Sequence, residues 1–135
     1  MAQAPPAPDS SPETAPARAH ILLVDDDTTF GNATGEVLRR AGFSVTIAAN
    51  FQPALEVLEG DSPLDLLVAD IAMPSGINGI ALSRMARLRR PKLKVLYITG
   101  YNIPGVEREA LGPILKKPID EATLVSEIEQ ALAKG

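Results

Sequence analysis

Five short apolar runs punctuate the chain: Ile21-Leu22-Leu23-Val24, Val45-Thr46-Ile47-Ala48, Leu64 to Ala69 with a break at Asp65, Val95 to Ile98, and Ile114-Leu115. Three of these are continuous rather than alternating, the pattern of strands covered on both faces. Between them lie segments with helical spacing. Phe30, Ala33, Val37 and Ala41 recur at intervals that fit one helix face, begun by Thr28 or Thr29 and stopped by Gly42. Phe51 to Leu58 makes a shorter helix with Ala54, Leu55 and Leu58 on one side. Ile80 to Leu88 forms the next and ends before Pro91. The last runs from about Glu121 to Lys134, with Leu124, Ile128 and Leu132 inward and Asp120 as N-cap. Asn102 to Leu111 holds Pro104 and Gly105, so only a stunted helix fits there. Strand and helix alternate five times, which predicts an α/β domain around a parallel sheet, with right-handed crossovers placing helices on both faces.

Composition narrows the chemistry. The chain has 135 residues, enough for one domain with a substantial core. Residues 1–18 hold five of the twelve prolines and no aliphatic side chain beyond alanine except Met1. That segment cannot bury enough apolar surface to order itself, so it reads as a disordered tail, with the domain over residues 19–135. The tail lacks the apolar stretch of a signal peptide, and no run is long enough to span a membrane, which predicts a cytoplasmic protein. No cysteine is present, which excludes disulfides, thiolate metal sites and cysteine nucleophiles. One histidine, His20, is too few for histidine zinc sites or Ser-His-Asp catalysis. A net charge of −4 gives no reason to expect direct DNA binding. Carboxylates, hydroxyls, lysine and backbone groups remain.

The residues after each strand supply them. The first strand ends in Asp25-Asp26-Asp27, the third in Asp70 and the fourth in Thr99, while the fifth leads to Lys117. Ligands of open α/β sheets sit beyond the carboxyl ends of the strands, so four strands deliver these groups to one edge. Singly, each aspartate or the threonine reads as a helix cap, and the lysine as a surface cation. Jointly, they make a negative pocket: two carboxylates about 4 Å apart repel by about 4 kcal/mol at an effective dielectric of 20. A hard divalent cation with oxygen ligands relieves that repulsion, and Mg²⁺ accepts one or two carboxylates together with phosphate oxygens. Metal, free carboxylate, hydroxyl and lysine suit phosphoryl transfer to an aspartate.

ILLVDDD at 21–27, LLVADIAMP at 66–74, VLYITG at 95–100 and LKKP at 115–118 resemble the receiver domain of response regulators, over Ala19 to Lys134. That resemblance implies a doubly wound, five-stranded parallel sheet in the order 2-1-3-4-5, a flavodoxin-like receiver fold with its fourth helix shortened here. It also implies a stand-alone response regulator of a two-component phosphorelay, a phosphoprotein rather than an enzyme acting on other substrates. Asp70 is then the phosphoacceptor, and Mg²⁺ (or Mn²⁺) is held by Asp25, Asp26, Asp70 and the backbone carbonyl of Ala72. Thr99 binds a phosphoryl oxygen, Lys117 pairs with the phosphoryl group, and the peptide before Pro118 is cis. The implied partner is a sensor histidine kinase or a histidine phosphotransfer protein. The downstream target and homodimerisation stay open.

Three departures from the family stand out. Ile114 occupies the usual aromatic position before the lysine, the Thr99–Lys117 stretch is short, and Gly79 in MPSGINGIAL comes one residue late. The last resembles receivers associated with hybrid sensor kinases. Ala72 offers only a methyl group where the family positions attacking water, which shifts autodephosphorylation onto Tyr101 or a partner. Two alternatives differ in kind. A pseudo-receiver would bind partners without phosphorylation. A haloacid dehalogenase-like phosphatase would use Asp25 as nucleophile and Asp27 as general acid, but would need a further acidic motif after the lysine. Finally, Arg84, Arg87, Arg89, Arg90, Lys92 and Lys94 place six cations in eleven positions; the plain reading is a solvated helix with charge favourably set at its C-terminal end.

Overall fold

The computed structural model describes residues 18–71, 79–100 and 114–133. Along the chain these form β1 (His20–Val24), α1 (Thr28–Arg40), β2 (Ser44–Ala48), α2 (Phe51–Glu59), β3 (Leu66–Asp70), α3 (Gly79–Arg89), β4 (Lys94–Thr99), β5 (Ile114–Lys116) and α4 (Glu121–Ala133). All strand pairs are parallel and the order is β2-β1-β3-β4-β5, as expected. The tail over 1–17 and the segment 101–113, where a stunted helix is expected, lie outside the described residues. Among those described, no helix is long and apolar enough to cross a membrane.

Continuous apolar strands feed two cores. Side chains alternate across a strand, so Leu22, Val24, Leu67, Ala69, Val95 and Tyr97 pack toward Ala54 and Leu58 of α2 and Leu82 and Ala86 of α3. Ile21, Leu23, Leu66, Val68, Leu96 and Ile98 face Leu38 of α1 and Leu124, Ile128 and Ala131 of α4. Each fully buried leucine or isoleucine contributes about 1.5–3 kcal/mol.

Local signals end the helices where the sequence predicts. Asp27 caps α1, its carboxylate accepting from the Phe30 amide at 3.1 Å. At the other end Gly42 turns left-handed with φ 101°. There Gly42 N–H donates to the Arg39 carbonyl and Phe43 N–H to that of Leu38, the paired bonds of a Schellman stop. Asp120 caps α4 through the Thr123 amide at 3.1 Å.

The inward face of α1 differs from the expected stripe. Gly31, Thr34, Gly35 and Leu38 are buried, while Phe30, Val37 and Ala41 are half-buried and Ala33 is exposed. The reason is steric. A Cβ on Gly35 would meet the end of the Ile47 side chain at 2.6 Å, so the helix settles its small residues onto β2. Leu132 is likewise only half-buried, with Ala131 inward instead.

The basic run is also more structural than a solvated face. The Arg90 guanidinium donates to the carbonyls of Leu58, Gly60 and Ser62 at 3.2, 2.7 and 2.8 Å, closing the C-terminal end of α2. Arg89 pairs with Glu59 at 2.7 Å, and Lys94 Nζ donates to the Leu132 carbonyl at 2.6 Å. Charged donors to otherwise unmet carbonyls are worth more than surface ion pairs. Arg90→Ala should therefore cost about 2 kcal/mol in urea unfolding, and Arg89→Ala under about 1. Equal losses in the two variants would contradict this ranking.

Arg18, which composition puts at the end of the tail, is tied to the domain. Its amide donates to the Gly42 carbonyl, and its guanidinium lies 4.4 Å from the Phe43 ring centre and pairs with Glu129.

Candidate functional site

The ends of β1, β3 and β4 and the turn after β5 meet at one sheet edge because parallel strands point the same way. Asp25 follows β1 and is completely buried; Asp70 closes β3 at 4% exposure and Thr99 closes β4 at 2%. Asp26 is half-buried. One carboxylate oxygen from each of Asp25, Asp26 and Asp70 lies within 4.8 Å of the other two. Thus three of the expected ligands converge, while Ala72 lies outside the described residues, as does Tyr101.

Lys117 reaches into this cluster. Its backbone amide donates to the Thr99 carbonyl at 2.8 Å, and the following peptide to Pro118 is cis, as expected. Its ammonium donates to Asp70 Oδ2 at 3.2 Å and lies 2.6 Å from Asp25 Oδ2. That second contact is a short ion pair, although its angle falls outside that of a well-aligned hydrogen bond. Asp25 Oδ1, by contrast, accepts from the Asp27 amide at 2.9 Å. Burial is the largest single influence on the Lys117 ammonium and works against its charge, but Asp25 and Asp70 together outweigh it and hold its pKa above the ordinary 10.5. The lysine is therefore charged throughout the neutral range.

Three carboxylates against one ammonium leave a formal charge of −2 (one minus three) in a largely buried pocket. An all-oxygen donor set whose three clustered carboxylates are balanced by a single ammonium fits a hard divalent cation. The arrangement can bring a metal, a nucleophilic carboxylate and a fixed cation to bear on one phosphoryl group.

Phe30 is the participant that sequence reasoning missed. Periodicity assigns it only to the apolar face of α1, yet its ring lies 4.1 Å from Lys117 Nζ, a cation–π contact. The usable signal was its place in the first turn of α1, directly after the acids. Asp27, conversely, is exposed and spent on capping α1, which removes the general acid of the phosphatase alternative.

Gly79 opens α3 against the backbone of Asp70. A Cβ there would stand 2.4 Å from the Asp70 carbonyl oxygen and 2.9 Å from its carbon, both rigid neighbours. The Gly79 amide also donates to the Ile71 carbonyl at 3.2 Å. Gly79→Ala must push α3 or the end of β3 aside, at an expected 2 kcal/mol or so in chemical denaturation. A variant as stable as the parent would show that the approach is looser than this.

Comparison with known proteins agrees with the geometry. The family description "response regulator receiver domain" matches residues 21–129. The response regulator receiver protein CpdR of Brucella abortus is 36% identical over 116 residues, covering 83% of this chain and 95% of CpdR. The transcriptional regulatory protein FixJ of Bradyrhizobium diazoefficiens is 33% identical over 122 residues, covering 87% of this chain but 58% of FixJ. The crystal structure of the receiver domain from the hybrid histidine kinase CckA superposes with a TM-score of 0.72 at 34% identity, covering 84% of this chain and 98% of that one.

Proposed function

Because the chain belongs to the response regulator receiver family of two-component signalling, we propose that it accepts a phosphoryl group on Asp70 from a phosphohistidine of a sensor kinase or phosphotransfer protein. The observation that carries this reading is the shared ammonium: Lys117 contacts both Asp70 and the buried Asp25, joining three strand ends in one site.

In this reading a carboxylate oxygen of Asp70 forms the new O–P bond as the P–N bond of the donor breaks. The electron pair leaves with the imidazole, which takes up a proton, and an acyl phosphate remains on Asp70. Asp25, Asp26, Asp70 and the Ala72 carbonyl would hold Mg²⁺, which supplies charge neutralisation on the phosphoryl oxygens. Lys117 holds Asp70 in place beforehand and afterwards pairs with the phosphoryl group. Thr99, buried at the neighbouring strand end, donates its hydroxyl to a phosphoryl oxygen. The chain acts on its own aspartate and passes the signal by contact with another protein or by onward phosphotransfer. A stand-alone role in the cytoplasm, with association to a hybrid kinase, extends the same reading.

Incubation with a small phosphodonor such as acetyl phosphate should give a Mg²⁺-dependent, hydroxylamine-sensitive label. Absence of label from both small donors and phosphorylated kinases would favour a pseudo-receiver.

A further inference from the structure

The outward side of α3 carries Leu88, the one large apolar side chain left exposed among the described residues, at 81%. Arg84 lies one helical turn before it on the same face, Arg87 adjoins it, and Lys92 follows in the turn that leaves the helix. The sequence contains no aspartate or glutamate from Ile71 to Val106. Of the six cations in this stretch, Arg89, Arg90 and Lys94 are committed to Glu59, to the end of α2 and to the end of α4. Arg84 and Lys92 have no ion-pair partner among the described residues, and Arg87 makes only a long contact of 3.5 Å to the Leu93 carbonyl.

We propose that this face docks an acidic segment of a partner protein, one that sets an aliphatic or aromatic side chain between carboxylates. A lone exposed leucine is ordinary on a protein surface. What distinguishes Leu88 is its place between Arg84 and Lys92, cations with no ion-pair partner among the described residues, in a chain whose overall net charge is −4. An apolar centre with a charged rim is the usual anatomy of a protein interface. Nucleic acid fits less well, since its phosphates offer nothing apolar to Leu88 and the body of the chain repels a polyanion. A membrane surface fits less well too, because one leucine inserts too little apolar area to hold.

The face is also joined to the candidate site. Gly79 at the start of α3 bonds to the chain just after Asp70, and Ser83 Oγ lies 2.5 Å from Tyr97 Oη on the strand that ends in Thr99. Docking on α3 therefore bears on the strands that carry the two residues. The proposal itself stands whether or not Asp70 is phosphorylated.

The test is selection of a random displayed peptide library on the full chain, with counter-selection on Arg84→Glu/Leu88→Glu. Both positions are exposed, so circular dichroism should show the variant folded. Retained peptides should carry carboxylates flanking an apolar residue and should perturb the backbone amide resonances of Arg84, Arg87 and Leu88. Their affinity should fall about tenfold or more in Leu88→Ala, as for a central anchor, and also in Arg84→Glu. The proposal is overturned if no peptides are enriched, if those retained lack carboxylates or bind the counter-selected variant equally, or if the perturbed amides lie elsewhere. Tighter binding of a DNA duplex or of phosphatidylglycerol vesicles to the same face would overturn it as well.

Discussion

Asp70→Asn should reduce phosphoryl labelling by at least about 1,000-fold, because the amide removes the nucleophile and leaves the rest of the pocket in place. The same substitution should stabilise the metal-free protein. Asp70 is nearly buried beside the carboxylates of Asp25 and Asp26, and it shares the single ammonium of Lys117 with Asp25. Removing one negative charge relieves repulsion that a dielectric near 20 puts at a few kcal/mol per close pair, while the lost contact with Lys117 offsets part of it. A net gain of about 1 kcal/mol in urea unfolding without divalent cations is expected. Loss of label together with gain of stability is the signature of a functional charge cluster. A variant that still formed a hydroxylamine-sensitive label would move the nucleophile to another carboxylate.

Lys117→Ala should have the opposite effect on stability. Asp25 is wholly buried, and the lysine is its counter-charge as well as Asp70's. Breaking a buried pair from one side costs about 3–5 kcal/mol, and the lysine's partial exposure reduces the expected loss to about 2. Labelling should fall by about 100-fold or more, the usual effect of deleting a group aimed at developing charge. Mg²⁺ should nevertheless bind more tightly to the variant, since no ammonium competes for the same oxygens. The pH dependence has a definite sign. A lysine whose pKa is raised by folding stabilises fully below its ordinary value of 10.5, and that contribution disappears as pH climbs through the higher folded value. Lys117→Met should erase this alkaline part of the stability profile, as measured by urea midpoints across pH 9 to about 11.5. An unchanged profile would mean that the ammonium is not coupled to folding.

Much of this is legible in the sequence because the informative residues sit at strand ends. Once the runs at Ile21, Leu66, Val95 and Ile114 are read as parallel strands, Asp25, Asp70, Thr99 and Lys117 fall on one edge without further assumption. Caps were legible for the same local reason, as Asp27, Gly42 and Asp120 show. What failed to show was set by distant sterics. The inward face of α1 depends on how Ile47 of β2 meets Gly31 and Gly35, so apolar periodicity favoured Ala33, which is exposed. The commitment of Arg90 to α2 and of Lys94 to α4 depends on tertiary placement that a charge run cannot express. The contact of Phe30 with Lys117 joins residues far apart in sequence, and the close seat of Gly79 on Asp70 depends on where α3 begins.

In the proposed function Asp25, Asp26 and Asp70 act together as one divalent-cation site. The most direct measurement is thermal unfolding during a Mg²⁺ titration of the wild type and of Asp25→Asn/Asp26→Asn, without any phosphodonor. Ligand that binds only the folded state adds about 2.7 kcal/mol at a hundred times its dissociation constant, so the wild-type midpoint should climb with Mg²⁺. The double variant should start from a higher midpoint and stay flat. A wild type that ignores Mg²⁺, or a double variant that climbs equally, would contradict the account.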